Sequence, residues 1–193
     1  MKAGVRALGV AESYRDERST LAGAVVRADR VVDGLGFASC TVGGTDATDA
    51  IVSLVGRIAR EDIRYIMLGA VAPAWYNVLD LSTIHRRTDR PVLAVTFEES
   101  EGLEDGLRGA FSGPDLEARL ERYRALPPRR PVPVGEGTVY VRACGLEAEA
   151  AREVVRAFTP EGGRPEPLRV ARLAARAGAE VGVKTDSSGL RRY

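Results

Sequence analysis

Ile63–Val71 reads IRYIMLGAV, a nearly continuous apolar run that pauses at Gly69. Such a run predicts a central strand covered on both faces. Pro91–Phe97 (PVLAVTF) predicts a second strand of the same kind, and Asn77–Thr88 between them has helical spacing. Strand, helix and strand in that order imply a parallel pair joined by a right-handed crossover. Upstream, Gly43-Gly44-Thr45-Asp46 punctuates the chain. Thr45 or Asp46 is a good N-cap for a helix running to about Arg60, with Ala47, Ile51, Leu54, Val55 and Ile58 as its core-facing stripe.

Before that turn, Arg6–Glu12, Ser19–Arg27 and Arg30–Val42 predict three successive antiparallel strands, with Ala28-Asp29 as a link and a bulge or bend at Gly34–Gly36. Downstream, Glu101–Leu126 is charged and helical, interrupted at Ser112-Gly113-Pro114. Pro127–Pro133 reads as a rigid connector. A strand at Thr138–Arg142, a helix at Leu146–Phe158, a break at Gly162–Pro167 and an Arg-rich helix at Leu168–Ala177 complete the pattern. The expected class is α/β: a mixed sheet of three antiparallel strands followed by parallel strands, flanked by helices. That is the element order of a ribonuclease H-like fold. Residues 1–180 are expected to form one domain and residues 181–193 a flexible tail.

With 193 residues the chain can hold a core unaided. Its 28 basic and 27 acidic side chains leave a net charge of +1, which excludes a non-specific coat on nucleic acid driven by overall charge. Lys2 and Lys184 are the only lysines, so forked guanidinium groups carry nearly all the positive charge. Two cysteines, Cys40 and Cys144, with one histidine make neither a disulfide framework nor a four-ligand zinc site; they read as buried thiols in a reducing compartment. The N-terminal segment carries charge through its apolar stretch, and no run approaches the ~20 residues of a membrane helix. A soluble cytoplasmic protein with no membrane partner is expected.

In a sheet of this kind ligands sit at the carboxyl ends of neighbouring parallel strands. Those ends are Val10–Glu12 and Leu68–Val71, with the Gly43–Asp46 turn nearby. Paired divalent ions need several hard oxygen ligands, and the acids on offer are Glu12 and Asp46, with Asp80 on the following helix. Asp80 follows Asn77 by three, which on a helix places both on one side. Pro73-Ala74-Trp75-Tyr76-Asn77 borders the same region, and stacking of a base on Trp75 or Tyr76 is worth ~1–3 kcal/mol. Arg169, Arg172 and Arg176 recur at helical spacing and are candidates for phosphate contact. His85, flanked by Arg86 and Arg87, reads as a solvated face. No phosphate-binding loop and no serine nucleophile elbow are present.

The stretches LGVAES, VGGTDAT, YIMLGAVAPAWYNVLDL, RPVLAV and TPEGGRPEPLRVARL, in that order, resemble the archaeal uncharacterised family called domain of unknown function 99, which is related to endonuclease V. The resemblance spans about Arg6–Arg176. It implies a ribonuclease H-like fold and, by descent, phosphodiester chemistry with Mg²⁺. Where typical members resemble GIDD, VDGLDAT and IMLDG, this chain has GVAE, VGGTDAT and IMLGA. Ala11, Gly43 and Gly69 therefore stand at three acidic positions, while Asp46 is retained. The leading expectation is an endonuclease V-like protein with a degenerate metal site and no cofactor. It would be non-catalytic and associated with single-stranded or damaged nucleic acid through Trp75, Tyr76, Asn77, Arg169, Arg172 and Arg176. One alternative is a Mg-dependent endonuclease in which Glu12, Asp46 and Asp80 form a rearranged catalytic site. The other is a small-molecule-binding or scaffolding α/β domain.

Overall fold

The apolar runs at Ile63 and Val92 become adjacent parallel strands in the middle of a mixed sheet. The computed structural model describes residues 1–160 and 163–181. Its elements are β1 (Arg6–Arg15), β2 (Arg18–Arg27), β3 (Val32–Thr41), α1 (Ala47–Ile58), β4 (Ile63–Leu68), the short turn α2 (Pro73–Tyr76), α3 (Leu81–Thr88) and β5 (Val92–Thr96). They continue with α4 (Glu104–Ala110), α5 (Gly113–Arg124), β6 (Arg130–Val134), β7 (Gly137–Cys144), α6 (Ala148–Ala157) and α7 (Glu166–Val181). Among the described residues the strands form one seven-stranded sheet in the order β3-β2-β1-β4-β5-β7-β6. β1 lies antiparallel to β2 and parallel to β4, and β4 is parallel to β5. The expected α/β class and mixed sheet are what is found. The tail from residue 182 onward, and Gly162 of the expected break, lie outside the described residues.

Side chains on the central strands alternate between two cores, as a period of two demands. Leu8, Ile66, Leu68, Val92 and Ala94 pack with Ile51 and Leu54 of α1 and Ile84 of α3. Ala7, Met67, Leu93 and Val95 face the other way, against Val154 and Phe158 near α6 and Leu168 of α7. Both faces of β4 are thus covered, which is why its sequence reads as an unbroken apolar run. Helix α7 crosses β1 where Gly9 leaves room for the backbone of Pro167.

Several local expectations are corrected. The segment Pro127–Pro133 is not wholly a connector, because Arg130–Val134 pairs with β7 as the sheet edge. An edge strand tolerates Pro131 and Pro133 because a full ladder of donors is not required there. The helix expected from Asn77 begins at Leu81, and Asp80 is its N-cap, accepting from the Thr83 N–H at 2.8 Å. Asn77 and Asp80 therefore do not share a helix face. His85 is half-buried rather than on a solvated face: Nδ1 lies 2.8 Å from the Arg90 carbonyl. The third strand carries a bulge, but at Asp33, the extra residue opposite Val25-Val26, rather than at the expected Gly34–Gly36, which pairs in regular register.

Candidate functional site

The parallel ends of β1 and β4 open onto a cavity of about 350 Å³. Its lining includes Val10, Ala11, Glu12, Gly69, Ala70 and Pro73, the strand ends where a ligand was expected. Ala11 and Gly69 sit side by side: a Cβ at Gly69 would lie 3.9 Å from the Ala11 Cβ and 3.5 Å from the Val10 carbonyl oxygen. Among the described residues Glu12 is the sole acid lining this cavity. The Gly43–Asp46 turn does not line it.

The candidate acids are not brought together. Glu12 Oε2 accepts from Ser19 Oγ at 2.6 Å and from the Ala74 N–H at 2.8 Å, tying β1 to the loop after β4. Asp46 sits at the N-cap position of α1 without capping it. Its carboxylate instead accepts from the Thr41 N–H at 3.0 Å, the Thr41 hydroxyl at 2.9 Å and the Asn77 amide at 2.8 Å. Asp80 accepts from the N–H and hydroxyl of Thr83. Glu12 thus ties strands and loop together, while Asp46 and Asp80 each close a local turn, and the three carboxylates are engaged in separate sets of hydrogen bonds. Among the described residues no group of three or more His, Cys, Asp or Glu is arranged to hold a metal ion. Divalent ions need hard anionic ligands, and at the two strand ends Glu12 is the carboxylate on offer, beside Ala11 and Gly69.

Asn77 is fully buried, so it is unavailable to a nucleic acid. Its amide is a hub: Nδ2 donates to the Thr41 carbonyl and to Asp46, and Oδ1 accepts the Ala47 N–H that Asp46 leaves uncapped. Trp75 is 52% exposed and packs in tilted fashion on Tyr76 and Phe111. Ala74, Trp75 and Tyr76 all adopt left-handed backbone angles, with φ of 50°, 54° and 62°. This costly conformation is fixed by the Glu12 bond and by the Gly43 N–H donating to the Ala74 carbonyl at 2.7 Å. Gly43 has φ of 68°, and a Cβ there would lie 2.8 Å from Trp75 Cε3. Arg119, buried on α5, donates to the Gly43 carbonyl at 2.6 Å and stacks on Phe111. Its role was not legible in the sequence, where it is one charge in a charged helix.

On α7 the expected arginine face divides. Arg172 and Arg176 line the cavity, whereas Arg169 pairs with Glu166. Arg164, in the segment before α7, joins them and stacks on Phe97 with its Cζ 3.8 Å from the ring centre. It lies in the break before α7, where no periodicity marks it in the sequence. Cys40 and Cys144 are both free. Cys40 is buried, and its thiol is pushed up to about 12 by that burial and then by the charges of Asp46 and Glu12. It stays protonated and inert. Cys144 is half-buried rather than buried.

Asp46 and Asp80 both titrate below the ordinary 3.8. Burial by itself would raise each. For Asp46 the bonds from Thr41 and Asn77 outweigh it. For Asp80 the two bonds from Thr83 and the charges of Arg86 and Arg122 do so. The stability these carboxylates contribute is in place above their unfolded value and is lost as pH falls below about 3.8, through the folded values. Asp80→Asn keeps an acceptor at the N-cap but takes up no proton. Urea titrations on descending pH are expected to show similar stability for the two proteins near neutrality and a shallower acid loss for Asp80→Asn. An identical acid slope would mean that Asp80 is not linked to folding.

This sheet, with its cleft at the paired ends of β1 and β4, defines an α/β protein of the ribonuclease H-like class. The architecture is similar to Ciona intestinalis endonuclease V, solved in complex with a 24mer DNA containing an inosine followed by a ribo-adenosine: TM-score 0.60 at 13% identity, covering 91% of this chain and 86% of that one. A protein of unknown function from Archaeoglobus fulgidus is more similar, with TM-score 0.79 at 27% identity over 89% of this chain and 96% of that one. The chain belongs to the family described as Endonuclease dU, whose sequence model matches residues 3–178. A UPF0215 protein of Pyrobaculum calidifontis is 36% identical over 87% of this chain and 93% of that one. The kinship expected from LGVAES, VGGTDAT and the later stretches is therefore established. Among the described residues no helix is long and apolar enough to cross a membrane.

Proposed function

We propose that this chain is an endonuclease V-like protein that binds nucleic acid, single-stranded or damaged, through a cleft whose metal site is degenerate, and that it does not cut. The observation that carries this reading is the pairing of Ala11 with Gly69 at the ends of β1 and β4. Both side chains lack a carboxylate at the place where the family resemblance puts acids. With Glu12 as the one carboxylate left at these two strand ends, the site gathers too little negative charge for a pair of divalent ions. Nucleic acid as the partner is supported by the inosine-containing DNA bound to the Ciona endonuclease V and by the deoxyuridine in the family's description. Exposed Trp75, two residues along the chain from the cleft-lining Pro73, supplies an aromatic face.

The test is incubation of the native protein with single strands containing inosine, deoxyuridine or neither, in Mn²⁺, beside an Ala11→Asp, Gly69→Asp double variant. Gly69 accepts a side chain at ordinary contact distance. Gly43 is left unchanged, since its positive φ and the Trp75 ring above it oppose a Cβ. Native protein is expected to leave all strands intact, and the double variant to gain metal-dependent cleavage. Metal-dependent scission by the native protein, abolished by Glu12→Gln, would overturn the reading.

A further inference from the structure

We propose that the cleft has exchanged cation binding for direct anion binding: it seats the phosphates of a single-stranded nucleic-acid backbone on arginines, with no bridging metal ion. This deepens the nucleic-acid reading above and rests on it.

Two cavities of about 350 Å³ each adjoin at the end of β4. They share Gly69, Ala70, Phe97, Arg164 and Arg172, and so form one continuous groove rather than two isolated pits. Arg176 lines the first cavity; Arg129 and Arg142 line the second. Among the described residues none of Arg129, Arg142, Arg164, Arg172 and Arg176 has an ion-pair partner, while Arg169 on the same helix is paired with Glu166. Glu12 and Glu98 also face the groove, so two carboxylates oppose five guanidinium groups.

Three of these arginines, Arg129, Arg142 and Arg164, are held in place without an ion-pair partner among the described residues. Arg164 lies over Phe97 and Arg129 over Tyr140, each with its Cζ 3.8 Å from the ring centre. Arg129 donates to the carbonyls of Glu98 and Ser100, and Arg142 to that of Pro127. Stacking fixes the plane of a guanidinium and leaves edge N–H groups for an acceptor. Burial depresses the Arg164 titration, and the neighbouring charges of Arg172 and Arg176 depress it further against the opposing charge of Glu98, as expected where positive charge is gathered and outweighs the negative. Forked donors of this kind match the oxygens of a phosphate. A groove with arginines along its length suits consecutive phosphates of a chain, whereas a single anion would need only one end of it.

The measurement is fluorescence anisotropy of a labelled single-stranded oligonucleotide in EDTA. Native protein is compared with Arg172→Ala, Arg176→Ala and, as control, with Arg108→Ala, whose exposed side chain pairs with Glu104 on α4 away from the groove. Arg172 and Arg176 are exposed, so their loss is compatible with folding, and circular dichroism verifies it. Native affinity is expected to be equal in EDTA and in Mg²⁺. The double variant is expected to lose at least about tenfold, with the salt slope falling by about 0.7 for each phosphate contact removed. Ala11→Asp, Gly69→Asp is expected to weaken binding in EDTA. Native binding that the arginine variant leaves intact overturns the groove as the seat and spares the nucleic-acid reading. Binding that requires Mg²⁺ overturns the exchange of cation for anion. Displacement of the strand by inorganic phosphate at equal phosphate concentration marks a single-anion site and overturns backbone seating. Failure of native protein to bind any strand sinks the nucleic-acid reading and this inference with it.

Discussion

Gly9→Ala is expected to lower stability by about 3 kcal/mol, because a methyl group there meets backbone rather than a yielding side chain. The Cβ of residue 9 would lie 2.2 Å from both the carbonyl carbon and the oxygen of Pro167, and 2.7 Å from its Cβ. Pro167 opens α7, the helix that lies over β1 and β2 and buries Leu168, Ala171 and Ala175. Relief would require the helix to lift, exposing those side chains, or the strand to bow away from β2 and β4. Gly56→Ala provides the contrast. Gly56 lies within α1, and a Cβ there meets nothing within 4 Å. It is expected to stabilise by roughly 0.5–1 kcal/mol through helix propensity alone. Urea midpoints of the two variants report both effects, and a Gly9→Ala midpoint equal to native would show that α7 is not seated as described.

Asn77→Ala is expected to cost about 2–4 kcal/mol, as an amide that serves three partners is removed from a buried position. The Ala47 N–H at the start of α1 loses its partner, while the Thr41 carbonyl and Asp46 Oδ1 each lose one hydrogen bond and keep those from the Gly44 N–H and the Thr41 N–H. Asn77→Asp should be at least as damaging near neutrality. A carboxylate keeps the bond to Ala47 but donates nothing to Thr41 and sets a second negative charge against Asp46. That added penalty is expected to lessen on acidification, when either carboxylate takes up a proton, and the difference between the two variants as a function of pH isolates it. A loss below ~1 kcal/mol for Asn77→Ala would mean that water replaces the amide and that the hub is not structural.

What was legible in the sequence follows from how each feature is encoded. Covered strands announce themselves through composition, so β4 and β5 were found from their apolar runs. The cleft position followed from topology alone. The fates of the polar residues did not, because they depend on partners distant in the chain. Asp46 meets Asn77, and Glu12 meets Ala74, across separations that spacing cannot disclose. Asn77 looked like a surface residue of a helix and is buried. Arg172 and Arg176 were found by helical spacing, but Arg169 was grouped with them because spacing does not register Glu166 three residues earlier. Arg164 was missed because a break in a pattern carries no periodicity to read.

The left-handed turn at Ala74–Tyr76 has a consequence for how this chain can vary among relatives. Surface connections usually absorb insertions and deletions. This one is pinned at both ends and in the middle: Ala74 to Glu12 and Gly43, Asn77 to Pro73, Leu79 to Val71. One residue added or removed between Val71 and Leu79 would shift every later partner out of register. Length in that segment should therefore be invariant in any homologue that keeps Glu12 and Asn77, even where the residues themselves have drifted.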